Sequence, residues 1–251
     1  MSDYSKYLIP HTATIREALV ALNDLSHDVL VLFVMNEFDQ MVGTLTDGDI
    51  RRYLIGGGEI KDCVCGAMTR SFLFMTEDSP FSTIKEYKDR GISLVPCLDG
   101  KKRILKVINL KKRKSILPID AVLMAGGKGE RLRPLTETIP KPLLHVGDKA
   151  IIDYNVDRLI SYGVEHISVT VNYLGEQLED HFKEPCDGIQ VKCVREPQYL
   201  GTIGSIKFIN SFRHDTVLVM NSDLFTNIDY EDFYLHFKEH NADMSVAAVP
   251  Y

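Results

Sequence analysis

The chain is short of every feature that would place it in a membrane, outside the cell or on nucleic acid. No apolar run among its 251 residues approaches the roughly 18 that a membrane-spanning helix needs. Its first residues, MSDYSKYLIP, lack the basic-then-apolar plan of a secretory signal, so a cytoplasmic location with no membrane partner is expected. Positive charge is not in excess either. The formal net charge is −6, and the one basic run, Lys111 to Lys114, reads as a solvated face between domains, which argues against a nucleic-acid partner. Cysteine is scarce. Cys63, Cys65, Cys97, Cys186 and Cys193 are an odd number, which fits reduced thiols better than a disulfide framework. Cys63 and Cys65 have one residue between them rather than two, and no His or Cys follows at metal spacing, so no zinc site is expected.

What is present is ordinary for a globular protein, with 45% hydrophobic and 25% charged residues, and the length suits two domains. A shift in composition from Lys111-Lys112-Arg113-Lys114 to Leu117-Pro118 marks a linker, giving domains at 1–115 and 119–251.

The most informative stretch is AVLMAGGKGERLRPLTETIPKPLL, Ala121 to Leu144. An apolar strand ends at Ala125 and runs into Gly126, Gly127 and Gly129, residues that let backbone N–H groups close on a phosphate. Arg131, Arg133 and Lys141 follow along a loop stiffened by Pro134, Pro140 and Pro142, so the segment is an anion site. The phosphate loop of nucleotide hydrolases is excluded because no Lys-Ser or Lys-Thr follows the last glycine, and the dinucleotide fingerprint because Leu132 stands where its third glycine belongs. After this loop the pattern alternates. Helices are expected at Ile151 to Tyr162, Leu174 to Phe182 and Thr202 to Ile209, and strands at His166 to Val171, Ile189 to Val194, Thr216 to Met220 and Met244 to Val249. That alternation predicts an α/β unit with a mainly parallel, Rossmann-like sheet, its ligand site at the carboxyl ends of the strands. Those ends deliver the glycine loop, Asn172, Glu196 with Leu200-Gly201-Thr202, and Asn221-Ser222-Asp223.

The glycine segment resembles the GGxGxRLxPLT…PKPLL signature of the sugar-1-phosphate nucleotidyltransferases at Gly126, Gly127, Gly129, Arg131, Leu132, Pro134, Leu135, Thr136, Lys141 and Pro142. The resemblance implies in-line attack of a sugar 1-phosphate on the α-phosphorus of a nucleoside triphosphate, with pyrophosphate leaving and no protein nucleophile. By the same resemblance Arg131 stabilises the triphosphate, Lys141 bridges the α-phosphate and the sugar phosphate, and Asp223 carries Mg²⁺. Ala125, Gly126, Gly127, Gly129, Asn172, Glu196, Gly201 and Thr202 then form the nucleotide pocket, Glu196 and the LGTIG loop lying around the base. Ile203 stands where the family has a smaller residue. Family members continue past the equivalent of Tyr251 through a Glu-Lys-Pro sugar segment and a second metal aspartate, so the resemblance implies a domain truncated at its C-terminus.

The first 115 residues hold a degenerate repeat. Thr14-Ile15-Arg16-Glu17 reads as a helix-opening capping box, and Thr83-Ile84-Lys85-Glu86 repeats it. Each is followed by two strands, Val29 to Val34 with Met41 to Leu45, and Ile92 to Pro96 with Ile104 to Ile108. The first copy closes on Gly43-Thr44-Leu45-Thr46-Asp47-Gly48-Asp49, which is similar to the closing motif of CBS domains. Residues 8 to 115 thus resemble a tandem CBS pair, an α+β module, in helix-strand-strand-helix order. In that family the equivalents of Thr46 and Asp49 hold the phosphate and ribose of an adenine nucleotide, which makes AMP or ATP the expected ligand and the pair the expected homodimer contact. The second copy has Lys112 at the Asp49 position and cannot accept a ribose hydroxyl there. The plainer reading makes this region a spacer or dimerisation module, with Asp49 capping the helix at Ile50.

CBS repeats joined to such a module resemble bacterial guanylyltransferases, and Asn172-Tyr173 points the same way, so GTP is favoured over dTTP or UTP. The alternatives are a non-catalytic nucleotide-sensing CBS protein, a thymidylyl- or uridylyltransferase, and a nucleotide-dependent glycosyltransferase. The last needs a paired-aspartate metal motif, and Asn221-Ser222-Asp223 has one carboxylate.

Overall fold

The computed structural model describes residues 4–80, 82–198, 200, 201 and 203–248. Two compact units divide the chain at Lys112 and Arg113.

The N-terminal unit begins with β1 (Leu8–Pro10), α1 (Ile15–Asp24), β2 (Val31–Met35), β3 (Met41–Thr46) and α2 (Asp47–Ile55). β1 runs parallel to β2, and β2 pairs antiparallel with β3. Ile15, Ala18 and Leu22 recur on one face of α1 and pack with Leu32, Val34, Leu45 and Ile50 in one apolar cluster. The second copy supplies α3 (Ser82–Asp89) and the antiparallel pair β4 (Leu94–Leu98) and β5 (Ile104–Asn109).

The two capping motifs part company. At α1 the box forms: Glu17 Oε2 accepts from Thr14 N at 2.7 Å, and Glu17 N donates to Thr14 Oγ1 at 3.3 Å. α3 starts at Ser82, so Thr83 lies inside its first turn and its N–H donates to the Pro80 carbonyl. The second copy also lacks the expected closing helix. After β5, Asn109 Oδ1 accepts from Lys111 N at 3.0 Å, a side-chain turn that competes with helix formation. The first copy closes with α2, which opens at Asp47 rather than Ile50, with Thr46 as its N-cap and Asp49 at the third position.

The C-terminal unit runs β6 (Asp120–Met124), the short hairpin β7 (His145–Val146) and β8 (Lys149–Ala150), α4 (Ile151–Ser161), β9 (His166–Val171), α5 (Gly175–His181), β10 (Lys192–Arg195), β11 (Val217–Asn221) and α6 (Tyr230–Glu239). Its main sheet has the order β10-β9-β6-β11, every pair parallel. Asp120, Ala121, Val122 and Leu123 of β6 are all buried, as expected of an inner parallel strand covered on both faces. α4 contributes Ile152, Val156, Leu159 and Ile160 to the same core as Val169, Val171, Leu178 and Met220.

Three expected elements differ. β10 begins at Lys192 because Cys186 and Ile189 exchange two backbone hydrogen bonds across Asp187 and Gly188, both at positive φ, so Ile189 belongs to a tight turn. The stretch expected as a helix from Thr202 is a 3₁₀ turn, Gly204–Phe208, since Ile203 at its N-cap offers no side-chain acceptor. Residues 244–248 are not strand; Met244 and Val246 are exposed and no strand pairs with them among the described residues. α6, not anticipated, is capped by Asp229, whose Oδ1 accepts from Glu231 N and Asp232 N.

Two outcomes test these local arrangements. Thr46→Ala removes the N-cap of α2 and should lower the stability of the N-terminal unit by about 1 kcal/mol, read as a lower urea midpoint; an unchanged midpoint would show that the cap contributes nothing. Asp28 accepts from Lys6 Nζ at 2.6 Å, a bond that, with one from Tyr7, holds its pKa down to about 2. Because the folded value is depressed, this contact stabilises above the ordinary carboxylate range and is lost as pH falls through about 2. NMR titration of the Asp28 carboxyl should find that low midpoint, and one near the usual Asp value would refute the pairing.

Candidate functional site

The order β10-β9-β6-β11 places a topological switch between β6 and β11, since the chain goes from β6 to β9 and β10 on one side and later returns to add β11 on the other. In open parallel sheets ligands bind in the crevice at the carboxyl ends beside such a switch. Two segments leave the sheet there. One is Ala125 to Gly129, following β6, and the other is Ser222-Asp223, following β11.

The two strand ends are fastened together. Ser222 N and Ser222 Oγ both donate to the Met124 carbonyl, at 3.1 and 2.8 Å. From below, buried Asn155 on α4 donates to the Ser222 carbonyl at 3.1 Å. Arg158, one turn on, donates to the carbonyls of Thr226 and Ile228 and so holds the chain just beyond Asp223. Asp223 therefore stands on a braced strand end.

The cationic loop is braced too. Gly129 adopts φ 61°, and a β-carbon on it would sit 3.0 Å from Thr136 Cγ2 and 3.1 Å from Lys141 Cβ, so glycine is required by conformation and by space. Thr136 Oγ1 donates to the Gly129 carbonyl at 2.9 Å. Tyr173 and Gln177 reach across from the start of α5 to the carbonyls of Glu137 and Thr138. Lys141, on the 3₁₀ turn Lys141–Leu143 between buried Pro140 and Pro142, forms an ion pair with Asp223. Their side chains are 41% and 21% exposed, so both remain open to a ligand. Arg131 is exposed on the same loop, with no ion pair among the described residues.

On the other side of the glycine loop, a β-carbon on Gly126 would fall 2.7 Å from Glu196 Oε1 and 3.4 Å from Asn172 Cβ. Asn172 Nδ2 donates to the Glu196 carbonyl at 3.2 Å, and Glu196 N to the Val171 carbonyl at 2.9 Å. Glu196 is only 5% exposed, and its Oε2 is buried with no hydrogen-bond partner among the described residues. A buried carboxylate oxygen without a donor is costly and marks a place where a ligand can supply one. The neighbouring Arg195 is turned away, paired with Glu176 and Glu179 on α5.

The structure thus brings Lys141 to Asp223, and Gly126 to Asn172 and Glu196, at neighbouring strand ends. Ala125 is buried and its N–H donates to the Thr170 carbonyl, while Gly127 is open to solvent and Gly201 takes φ 77° in an exposed turn. Thr202 lies outside the described residues. Thr46 and Asp49 belong to the other unit, where Asp49 Oδ2 accepts from Thr46 N and Oγ1 at 2.9 and 2.6 Å, and Oδ1 from Arg52 and Thr69. Burial pushes the Asp49 carboxyl up, but the bonds from Thr46 outweigh it and hold its pKa below the ordinary value. Asn155, Thr136 and Gln177 carry no motif signal; their roles come from the partners that the fold gives them.

A glycine loop at a switch point, beside a Lys–Asp pair on braced strand ends, gives an α/β unit an open, charged crevice at the carboxyl ends of its strands. The nucleotidyl transferase family model matches residues 120–251, just over half of the chain, and a CBS domain model matches residues 5–56. The chain belongs to the nucleotidyl transferase family, and the CBS match lies within its N-terminal unit. It is similar to the mannose-1-phosphate guanylyltransferase catalytic subunit beta of Xenopus tropicalis, 32% identical over 131 residues that cover 50% of this chain and 36% of that protein. It is also similar to the D-glycero-alpha-D-manno-heptose 1-phosphate guanylyltransferase of Campylobacter jejuni, 32% identical over 111 residues, 44% of this chain and 50% of that one. The chain therefore spans between about a third and a half of the length of these relatives. The solved CBS domains of a transcriptional regulator from Streptococcus pneumoniae align with 43% of this chain and 86% of that structure, at 17% identity and a TM-score of 0.36.

Replacing Asn155 by Leu keeps the volume but strips the Ser222 carbonyl of its donor. The expected cost is about 1–3 kcal/mol of stability in the C-terminal unit, measured by thermal unfolding, together with weaker nucleotide binding. Full stability in the variant would remove Asn155 from the brace.

Proposed function

We propose that the C-terminal unit transfers a guanylyl group from GTP to a sugar 1-phosphate and releases pyrophosphate. The observation that carries the choice of base is the buried Oε2 of Glu196 beside the glycine loop, which has no hydrogen-bond partner among the described residues. A carboxylate only accepts hydrogen bonds, and guanine alone among the common bases presents two adjacent donors, N1–H and the N2 amino group, on its pairing edge. The similar guanylyltransferases support the same choice and point to a hexose or heptose 1-phosphate as acceptor.

The chemistry asks the protein for positioning and charge. Backbone N–H groups of the loop at Gly126, Gly127 and Gly129 receive the phosphates, with Arg131 on their outer side. Lys141 leaves Asp223 and moves to the oxygens where the sugar phosphate attacks, stabilising charge that builds during transfer. Mg²⁺ fits the donor set at Asp223, because this ion is held by one or two carboxylates plus phosphate oxygens. When bound, the ion supplies neutralisation of phosphate charge.

The N-terminal unit is proposed to bind AMP or ATP at Thr46 and Asp49 and to modulate turnover. Asp49 Oδ1 favours this, since its present donors, exposed Arg52 and Thr69, can yield to ribose hydroxyls. Exposed Val20 on α1 and Ile55 at the end of α2 fit a homodimer contact through the same unit.

Calorimetric titration with GTP, dTTP, UTP, CTP and ATP in the presence of Mg²⁺, alongside pyrophosphate release with hexose and heptose 1-phosphates, tests the reading. GTP should bind tightest. Glu196→Gln should weaken it about tenfold or more and favour UTP or dTTP, whose edges match an amide. Lys141→Ala and Asp223→Asn should each lower turnover by about 100-fold or more. Equal binding of all five nucleotides, or GTP affinity untouched in Glu196→Gln, would overturn the guanylyl assignment.

A further inference from the structure

Cys63 and Cys65 stand outside everything described so far. Cys63 is the N-cap of the 3₁₀ turn Val64–Gly66 and Cys65 its middle residue, the Cys63 sulfur accepting from Cys65 N at 3.3 Å. Both thiols then converge on a single acceptor. Cys63 Sγ donates to the His11 carbonyl at 2.9 Å and Cys65 Sγ to the same oxygen at 3.0 Å. Two sulfurs held on one oxygen are neighbours. The rise of about 2 Å per residue in a 3₁₀ turn also keeps positions two apart within the roughly 4.4–6.8 Å Cα separation that a disulfide requires. The segment is fixed against the start of α1, by Val64 N donating to the Ala13 carbonyl and by the bridge between Thr14 and Cys63.

We propose that Cys63 and Cys65 form a reversible dithiol–disulfide couple, closed by exchange with a small-molecule disulfide such as oxidised glutathione. Cys63, the exposed member, attacks first: its thiolate bonds to one sulfur of the incoming disulfide and releases the other half as a thiol. Cys65, half-buried beside it, then attacks the Cys63 sulfur and expels the second half. Two protein thiols are oxidised, one disulfide is reduced to two thiols, and the two protons pass to the leaving thiolates. Burial raises the Cys65 thiol, which suits the second, intramolecular step rather than the first. The other cysteines do not compete. Cys97 is buried, Cys186 and Cys193 sit in the other unit, and burial pushes Cys193 up to about 11.

Incubation of the whole chain with oxidised glutathione, followed by alkylation and peptide mass spectrometry, decides the matter. The expected product is a peptide spanning residues 63–65 that has lost two hydrogens, resists alkylation and regains both thiols in dithiothreitol. Cys65→Ser should stop at a glutathione adduct on Cys63. Phenylarsine oxide, a probe for paired thiols, should bind one equivalent, and either serine variant should weaken it about tenfold or more. A stable glutathione adduct on Cys63 in the unmutated chain, or arsenical binding unchanged in both variants, would overturn the proposal.

Discussion

The candidate site depends on one hydrogen-bonded junction, the Met124 carbonyl taking two donors from Ser222. A parallel sheet fixes the direction of its strands but leaves their carboxyl ends free to fray, since the last groups have no further ladder partner. Ser222 closes that end with main chain and hydroxyl together, and Asn155 secures the carbonyl on its other side. The segments that follow β6 and β11 are thereby set from a common point. Gly126 to Gly129 and Asp223 inherit their relative position from it, and Lys141 can meet Asp223 only because both sides are fixed.

Charge is distributed around that junction in two unlike ways. Lys141 and Asp223 neutralise one another while both stay partly solvated, so the pair is cheap to form and cheap to break. Glu196 is the opposite case: it is buried, its neighbouring cation is engaged with α5, and one oxygen has no donor among the described residues. An arrangement that leaves a buried oxygen unsatisfied is destabilising on its own, and such sites persist where something else completes them. One half of the site is thus balanced and exchangeable, and the other keeps a buried acceptor without a donor among the described residues.

Much of this was legible in the sequence because it is carried by local patterns. Apolar runs located β6, β9 and β11, helical spacing located α4, and the glycines with Lys141 and Asp223 marked the strand ends. The boundaries failed where a neighbour decides. Ile189 looks like strand until Asp187 and Gly188 turn it back on Cys186, and Met244 to Val249 looks like strand, but residues 244–248 find no strand to pair with among the described residues and Val249 lies outside them. Asn155 and Gln177 gave no signal, since a polar side chain on a helix says nothing about which carbonyl it will meet. Cys63 and Cys65 were readable only as an unpromising spacing. Their chemistry appears when the connection between β1 and α1 carries His11 onto both sulfurs.

The two copies in the N-terminal unit show how one substitution pattern can separate a scaffold from a site. Both keep the strand pair, since that rests on apolar residues such as Leu45 and Ile108. Only the first keeps the helix after it, because Thr46 and Asp49 satisfy each other's backbone N–H groups there, whereas Asn109 turns its side chain onto Lys111 N and leaves no cap for a helix. Asp49 consequently has two oxygens with different obligations. Oδ2 is committed to Thr46 and holds the helix, while Oδ1 faces the exposed Arg52 and the hydroxyl of Thr69. A ligand competing for Oδ1 would meet donors that solvent can replace, whereas one competing for Oδ2 would have to unwind the first turn of α2. Capping and binding are therefore not rival explanations of this residue: the cap orients the carboxylate and leaves one of its oxygens exchangeable.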